Sequence, residues 1–401
     1  AEHDRGPTQR EAWSLAQTAR LMDRPAKTGD TITTVDAHDG WRGQAVEAGF
    51  DPDQIIDAAV GRVVEPVTTV DQNQLIDTAV HQVSEGRSSW TVGGLVRELA
   101  RALPAGAGTS AAAVVKTMWR VGSETVREQV QLRTETDTNT PEALLRFTTQ
   151  PVLDSEQAVI DFATTSVGIE SEVPPTVADA ADRRLGVAQQ TVANRVAGSE
   201  PLVLIEGPAG TGKTTALKAA TDHLTATGRR VFGVAPSAQA AAELATATGI
   251  GCDSIDKLLY EHDQPNGPDP AFLLEAGATV IVDEAAMCST PKLAALVGLA
   301  KEHDWRLVLV GDPYQLSAVG RSGMFQHLLN TVPDLATSLT TVHRFTHDWE
   351  ATNSLALRRG DPDAITVLNK QRRITTTNTS PVGQAIRTWT RHRQDGQSVL
   401  L

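Results

Sequence analysis

Three short stretches hold side chains that could handle a phosphate ester. The run GPAGTGKTT, residues 207–215, fits GxxxxGK[ST] without a mismatch. Its glycines at 207, 210 and 212 let backbone N–H groups turn inward around phosphate oxygens, and a following helix would point its positive end at the same place. Lys213 suits the β- and γ-phosphates and Thr214 suits magnesium. The whole loop (Gly207, Pro208, Ala209, Gly210, Thr211, Gly212, Lys213, Thr214, Thr215) is therefore assigned to ATP. In TVIVDEAAM, residues 279–287, an apolar run delivers Asp283 and Glu284 at its carboxyl end. One carboxylate would join the magnesium shell and the next would stand beside the attacking water. In RLVLVGDPYQL, residues 306–316, a third run ends in a polar turn carrying Gln315. An amide there can bond to the γ-phosphate before hydrolysis and lose that partner afterwards, which makes the turn a sensor.

Such groups need a scaffold that ends several strands at one place. From about residue 201 the chain supplies it: PLVLIE, RRVFGVAP, ATVIVDE and RLVLVGD are short apolar runs bounded by turn residues. Ala-rich helix formers such as ALKAATDHL and SAQAAAELATA alternate with them. The pattern predicts an α/β fold, a P-loop parallel sheet with helices on both faces and ligands at the carboxyl ends of the strands. Before it lie helix-prone pieces (72–86, 92–103, 110–126) separated by polar or Gly/Pro-bearing joints at PAGAG, TDTNT and EVPPT. The expected organisation is a mostly helical region over 1–184, with a joint near 134–141 dividing it, and a nucleotide-binding domain over 185–345. Residues 346–401 are expected to be a linker and the start of a further domain. The seven tryptophans are scattered and most are read as core or interface anchors.

Composition narrows the classes. Forty per cent hydrophobic and 21% charged residues describe an ordinary globular chain. No apolar run approaches the ~18 residues needed to span a bilayer, and no signal peptide opens the chain, so the expectation is cytoplasmic and without a membrane partner. Cys252 and Cys288 have no CxxC spacing, which argues against a disulfide framework or a cysteine zinc site. The formal charge of -13 argues against a generic polyanion binder, but it is uneven: residues 341–401 carry 9 Lys+Arg against 5 Asp+Glu. Contact with nucleic acid would have to be local.

Taken in order, GPAGTGKTT, VFGVAPSAQAAAEL, IVDEAAM, GDPYQLSAVGRSGMF and LTTVHRF resemble successive motifs of superfamily 1 helicases of the RecD-like branch. They are most similar to the helicase part of large conjugative relaxases of the TraA/TraI/TrwC (MobF) type. Upstream, LRFTTQPVLDSEQAVIDFA and AVHQVSEGRSSWTVGGLVREL resemble segments preceding that core, and LGVAQQTVANRVAG resembles the Q-motif. The resemblance implies that Gln189, in preference to Gln190, reads adenine, and that Arg344 reaches the γ-phosphate. It also implies that Pro236 and Ser237 touch single-stranded DNA. Ser254 matches the next such motif and reads equally well as a helix N-cap. Residues 371–393 are either a phosphate-contacting segment or a solvated linker.

These relaxases begin with a nicking domain that needs an N-terminal tyrosine and a histidine cluster. This chain has Tyr260 and Tyr314 only, no His-x-His pair, and in HRFTH just His343 and His347 four apart, so nicking is not expected of it. It opens on Ala, which suggests a piece of something longer, and closes on GQSVLL, which resembles the first strand of a second RecA-like domain. The implied function is magnesium-dependent ATP hydrolysis coupled to 5′ to 3′ movement on single-stranded DNA. The implied partners are the DNA, the upstream relaxase domain, the downstream second domain and the conjugation machinery. As it stands the chain is expected to hydrolyse slowly and not to unwind a duplex. Two other readings stay open: a RecD-like helicase or exodeoxyribonuclease subunit, and a non-enzymatic module in which nucleotide gates binding to DNA or protein.

Overall fold

The computed structural model describes residues 70–401 apart from 105, 108–109, 133–140, 142–143, 170–175, 178–183, 316–317, 319, 377–379, 398 and 400–401; Gly43, Val46, Glu47 and Asp51 are also described. Residues 134–140 of the expected joint, Trp13, Trp41 and three of the six residues of the closing GQSVLL therefore lie outside the described residues. All that follows concerns the unit Thr68–Leu401.

The strands that carry the chemistry are mainly apolar because both faces of their sheet are covered. β3 (Leu202–Glu206), β4 (Val231–Ala235), β5 (Gly251–Ser254), β6 (Thr279–Val282), β7 (Arg306–Gly311) and β8 (Ala336–Ser338) form a six-stranded parallel sheet among the described residues, in the order β5-β4-β6-β7-β3-β8. Side chains alternate between two cores. Leu202, Leu204, Val280, Val282, Leu307 and Leu309 enter one, and Val203, Ile205, Ile281, Val308 and Val310 the other. A parallel sheet buried on both sides reads as a continuous apolar run, as these four strands do. β5 and β8 were not expected from the sequence. They are short, half-polar edge strands with no run to mark them.

The register decides where the chemistry falls. Glu206, the last residue of β3, stands opposite Gly311, the last of β7, and Val282 stands opposite Leu309. The loops after β3, β6 and β7 thus start side by side. α5 (Val187–Ala197) precedes β3, and the helices between the strands are α6 (Lys213–Ala226), α7 (Ala238–Thr248), α8 (Ile255–His262), α9 (Thr290–His303) and α10 (Met324–Thr331).

Upstream, α1 (Gln72–Gly86), α2 (Val92–Ala102) and α3 (Ala111–Thr125) pack around Leu75, Leu95, Leu99 and Met118. Asp71, Thr91 and Ser110 cap their N-termini, each side-chain oxygen accepting backbone N–H groups. A two-stranded antiparallel ribbon, β1 (Val130–Leu132) and β2 (Arg146–Thr148), sets Phe147 against Trp90 at a ring separation of 6.0 Å. α4 (Gln150–Ser166) behaves differently: Val159, Phe162 and Ala163 lie in the sheet core with Leu204 and Leu296. α4 therefore covers part of one face of the sheet. Of the described tryptophans, Trp90 and Trp305 are buried, Trp349 and Trp389 half-buried, and Trp119 exposed. Trp90 and Trp305 are core anchors.

The stretch 346–401, expected as a linker, contains α11 (Asp348–Arg358), α12 (Asp363–Lys370) and α13 (Pro381–Gln394). α13 buries no residue and carries Arg391, His392 and Arg393 in its last turn.

One buried cation organises the far end of the sheet. Arg306, the first residue of β7, is 5% exposed and donates to three main-chain carbonyls, Glu200 at 2.6 Å, Arg195 at 2.8 Å and Val196. These close the C-terminus of α5, where unpaired carbonyls and the helix dipole favour a cation. Burial pulls its pKa down to about 9, still above neutral pH, so the group stays charged. Replacing it with Leu strands three buried acceptors at about 1–3 kcal/mol each, for a total of roughly 3–5 kcal/mol after local relaxation. Thermal denaturation of Arg306→Leu should show a midpoint lower by roughly 10 °C; an unchanged midpoint would mean these carbonyls find other partners.

Candidate nucleotide site

The P-loop leaves β3 through Gly207, whose N–H donates to Gly311 O at 3.0 Å, so the loop is tied to the end of β7 from its first residue. A Cβ at Gly207 would come within 2.6 Å of Lys213 Cγ. Only glycine lets that lysine lie across the loop, where its Nζ donates to Gly207 O at 2.7 Å. Gly210 and Gly212 take φ of 81° and 79°, a region open to glycine, and Gly212 is the N-cap of α6. Thr211 is buried and its hydroxyl donates to Pro208 O at 2.8 Å, which closes the loop internally.

An open cleft of ≈ 600 Å³ lies in front of this loop. It is lined by Pro208, Ala209, Gly210, Gly212, Lys213, Thr214 and Thr215, by Asp283 and Glu284 after β6, by Gln315 after β7, and by Arg344. Four segments distant in sequence thus converge on one space. Arg344 arrives because its loop lies on the P-loop: His343 N–H donates to Gly210 O at 2.8 Å, and a Cβ on Gly210 would stand 2.6 Å from Arg344 Cβ. The opposite wall is one face of α7, Ala240, Glu243, Leu244 and Ala247, at helical spacing.

The acidic pair is held tightly. Asp283 N–H donates to Val234 O at 2.9 Å and its Oδ1 accepts the N–H of Glu284 at 2.9 Å. Glu284 adopts φ 51°, ψ 41°, a left-handed conformation that costs a non-glycine residue on the order of 1 kcal/mol. Gly311 makes room for this turn, since a Cβ there would meet Ala286 N at 3.0 Å. Glu284 Oε2 is buried without a hydrogen-bond partner. Burial raises the pKa of both carboxyls above the ordinary value, against the pull of the Lys213 charge. Gln315 sits on a turn closed by its own N–H to Asp312 O at 3.1 Å, and its Nε2 makes a long contact of 3.4 Å to Asp312 Oδ2.

Some expected residues lie elsewhere. Gln189 is not in the lining of the cleft. Its Oε1 accepts Gly186 N–H at 2.9 Å and its Nε2 donates to Thr211 O at 3.3 Å, so it braces the P-loop at Gly212. Each end of the amide keeps one further hydrogen-bonding site. Gln190 is bonded to Val177 O and Asn194 Oδ1. Pro236 and Ser237 line a second cleft of ≈ 280 Å³ with Met287 and Lys292, and Glu284 borders both clefts. The Ser237 hydroxyl caps α7, accepting Ala240 N–H at 3.2 Å, and Ser254 caps α8, accepting Lys257 N–H at 3.2 Å. The N-cap reading of Ser254 is thus the one with a bond behind it. Glu206, Asp312, Glu243 and Arg358 were given no role from sequence. The period of 240, 243, 244 and 247 could have revealed Glu243, whereas Arg358 has no local signal.

Fold and cleft together define a P-loop ATPase-type domain. Residues 184–379 match the family described as AAA domain. The conjugal transfer protein TraA of Rhizobium radiobacter is 31% identical over 256 residues, 62% of this chain and 23% of that protein. The RecBCD enzyme subunit RecD of Mycolicibacterium smegmatis is 30% identical over 207 residues, 45% of this chain and 37% of that protein. A crystal structure of Pif1 helicase from Candida albicans aligns with a TM-score of 0.37 at 19% identity, covering 48% of this chain and 49% of that one. Over part of its length the chain is thus similar to the AAA domain family, to TraA conjugal transfer proteins and to RecD. The chain spans less than a quarter of the length of the TraA relatives it matches. Among the described residues no helix is long and apolar enough to cross a membrane.

Proposed function

We propose that this chain is the ATP-hydrolysing segment of a conjugative relaxase-helicase, coupling Mg-ATP turnover to movement on single-stranded DNA. The observation that carries it is the convergence of Lys213, Thr214, Asp283, Glu284, Gln315 and Arg344 on one cleft. Thr214 and Asp283 offer the oxygen donors that magnesium prefers, and the glycine cradle with Lys213 fits a triphosphate. When bound, the ion would neutralise phosphate charge. Glu284, half-buried and with one buried, unpartnered oxygen, is our candidate for the group that takes a proton from water. Gln315, weakly held by Asp312, is free to exchange that contact for a γ-phosphate oxygen, and Arg344 supplies permanent charge from the P-loop's own side. Pro236 and Ser237 beside Met287 and Lys292 form the DNA-facing cleft, adjoining Glu284. The polarity, 5′ to 3′, rests on the resemblance alone; the domain limits 1–184, 185–345 and 346–401 are proposed from the sequence pattern.

A RecD-type subunit is the second reading, supported by the match to RecD. The relaxase reading is favoured because the TraA alignment is longer than the 184–379 segment, in keeping with the upstream motif resemblance.

The reading is tested by fluorescence anisotropy of a labelled single-stranded oligonucleotide with ADP or a non-hydrolysable ATP analogue. Coupled sites should shift the affinity at least about fivefold between the two states, and binding should weaken with salt. Equal affinities in both states would remove the coupling from this chain.

A further inference from the structure

Arg358, the last residue of α11, reaches back over the ends of three strands. Its Nη2 donates to Glu206 Oε1 at 2.6 Å and lies 2.7 Å from Asp312 Oδ1, while Nε donates to the same Oδ1 at 2.8 Å. Its guanidinium carbon stands 4.2 Å from the centroid of the Tyr314 ring. Glu206 is the last residue before the P-loop, and its other oxygen accepts the Ser338 hydroxyl at the end of β8, at 3.1 Å. Asp312 is 3% exposed; it accepts Tyr314 N–H at 3.1 Å and holds the Gln315 amide by the 3.4 Å contact already described. Two carboxylates at the ends of neighbouring strands would repel one another. A planar, permanently charged fork can bond to both and stack on an aromatic face at once, which a lysine cannot. The loop that begins the P-loop and the loop that carries Gln315 therefore share one anchor, and that anchor belongs to α11.

We propose that Arg358 is a positioning residue that holds the Gln315 turn in register with the P-loop and passes the nucleotide state of that turn into α11. The proposal rests on Gln315 being the γ-phosphate sensor. If the Gln315 amide leaves Asp312 for a phosphate oxygen, the buried Asp312 charge is left to Arg358 and one backbone N–H. Any shift of Asp312 or Tyr314 then pulls on α11 through short bonds and a stacked ring. The contact gives the two nucleotide states a differential interaction with α11, which a coupled change requires.

Hydrogen exchange on the 401-residue chain, with and without magnesium and a non-hydrolysable ATP analogue, tests it. In the wild type the analogue should slow exchange both at 312–315 and in α11. Arg358→Lys keeps a charge near both carboxylates and should fold. It should bind the analogue within about threefold of wild type, lose the α11 response, and lower kcat about 2- to 30-fold with little change in KM. Arg358→Gln should do the same or more; if it fails to fold, the Lys variant decides. A Lys variant with an intact α11 response and an unchanged kcat overturns the proposal. So does a wild type that binds the analogue and protects 312–315 without any response in α11. A wild type that binds no analogue overturns the reading of the cleft, and the coupling with it.

Discussion

Lys213→Ala is expected to lower the affinity for Mg-ATP about 10²- to 10⁴-fold, because charge-assisted bonds to two phosphates are lost together. In the structure Lys213 holds Gly207 O at 2.7 Å, across a glycine that only a close lysine requires. That carbonyl is a weak substitute for a triphosphate, so the side chain is poised to leave it. The loop does not depend on the lysine for its shape: Gly207 N–H to Gly311 O, Thr211 to Pro208 O and the Gln189 brace all remain. The variant should therefore melt near the wild-type temperature while losing the ligand. Titration with a fluorescent ATP analogue checks this, and unchanged affinity would move the nucleotide elsewhere.

Glu284→Gln separates binding from chemistry. An amide keeps the shape of the turn after β6 but cannot accept a proton, and losing a positioned general base costs about 10²- to 10⁴-fold. Three features single out this carboxyl. It is strained at φ 51°, one of its oxygens is buried and unpartnered, and burial raises its pKa. Analogue affinity should stay close to wild type, since Lys213 and the glycines make the phosphate contacts. Hydrolysis as fast as in the parent would place the base elsewhere.

Much of this site was legible because its parts are local. The P-loop, the Asp283–Glu284 pair and the Gln315 turn each follow a fully buried strand, and a buried parallel strand announces itself as an apolar run. β5 and β8 escaped because Gly251–Ser254 and Ala336–Ser338 are short, half-polar and at the edges. Gln189 packs against the P-loop, with Gly186 N–H and Thr211 O bonded to its amide, contacts that only the folded chain reveals. Arg358 could not be read at all. Its partners Asp312 and Glu206 lie 46 and 152 residues away, and only the alignment of strand ends brings them together.

Steady-state phosphate release from Mg-ATP, by the wild type beside Lys213→Ala and Glu284→Gln, bears most directly on the claim that this cleft is the ATP-hydrolysing centre. Magnesium-dependent release is expected from the wild type and should be lost in both variants, in the first through binding and in the second through the chemical step. Nucleotide bound by the wild type but never turned over, or release that neither substitution changes, would contradict it.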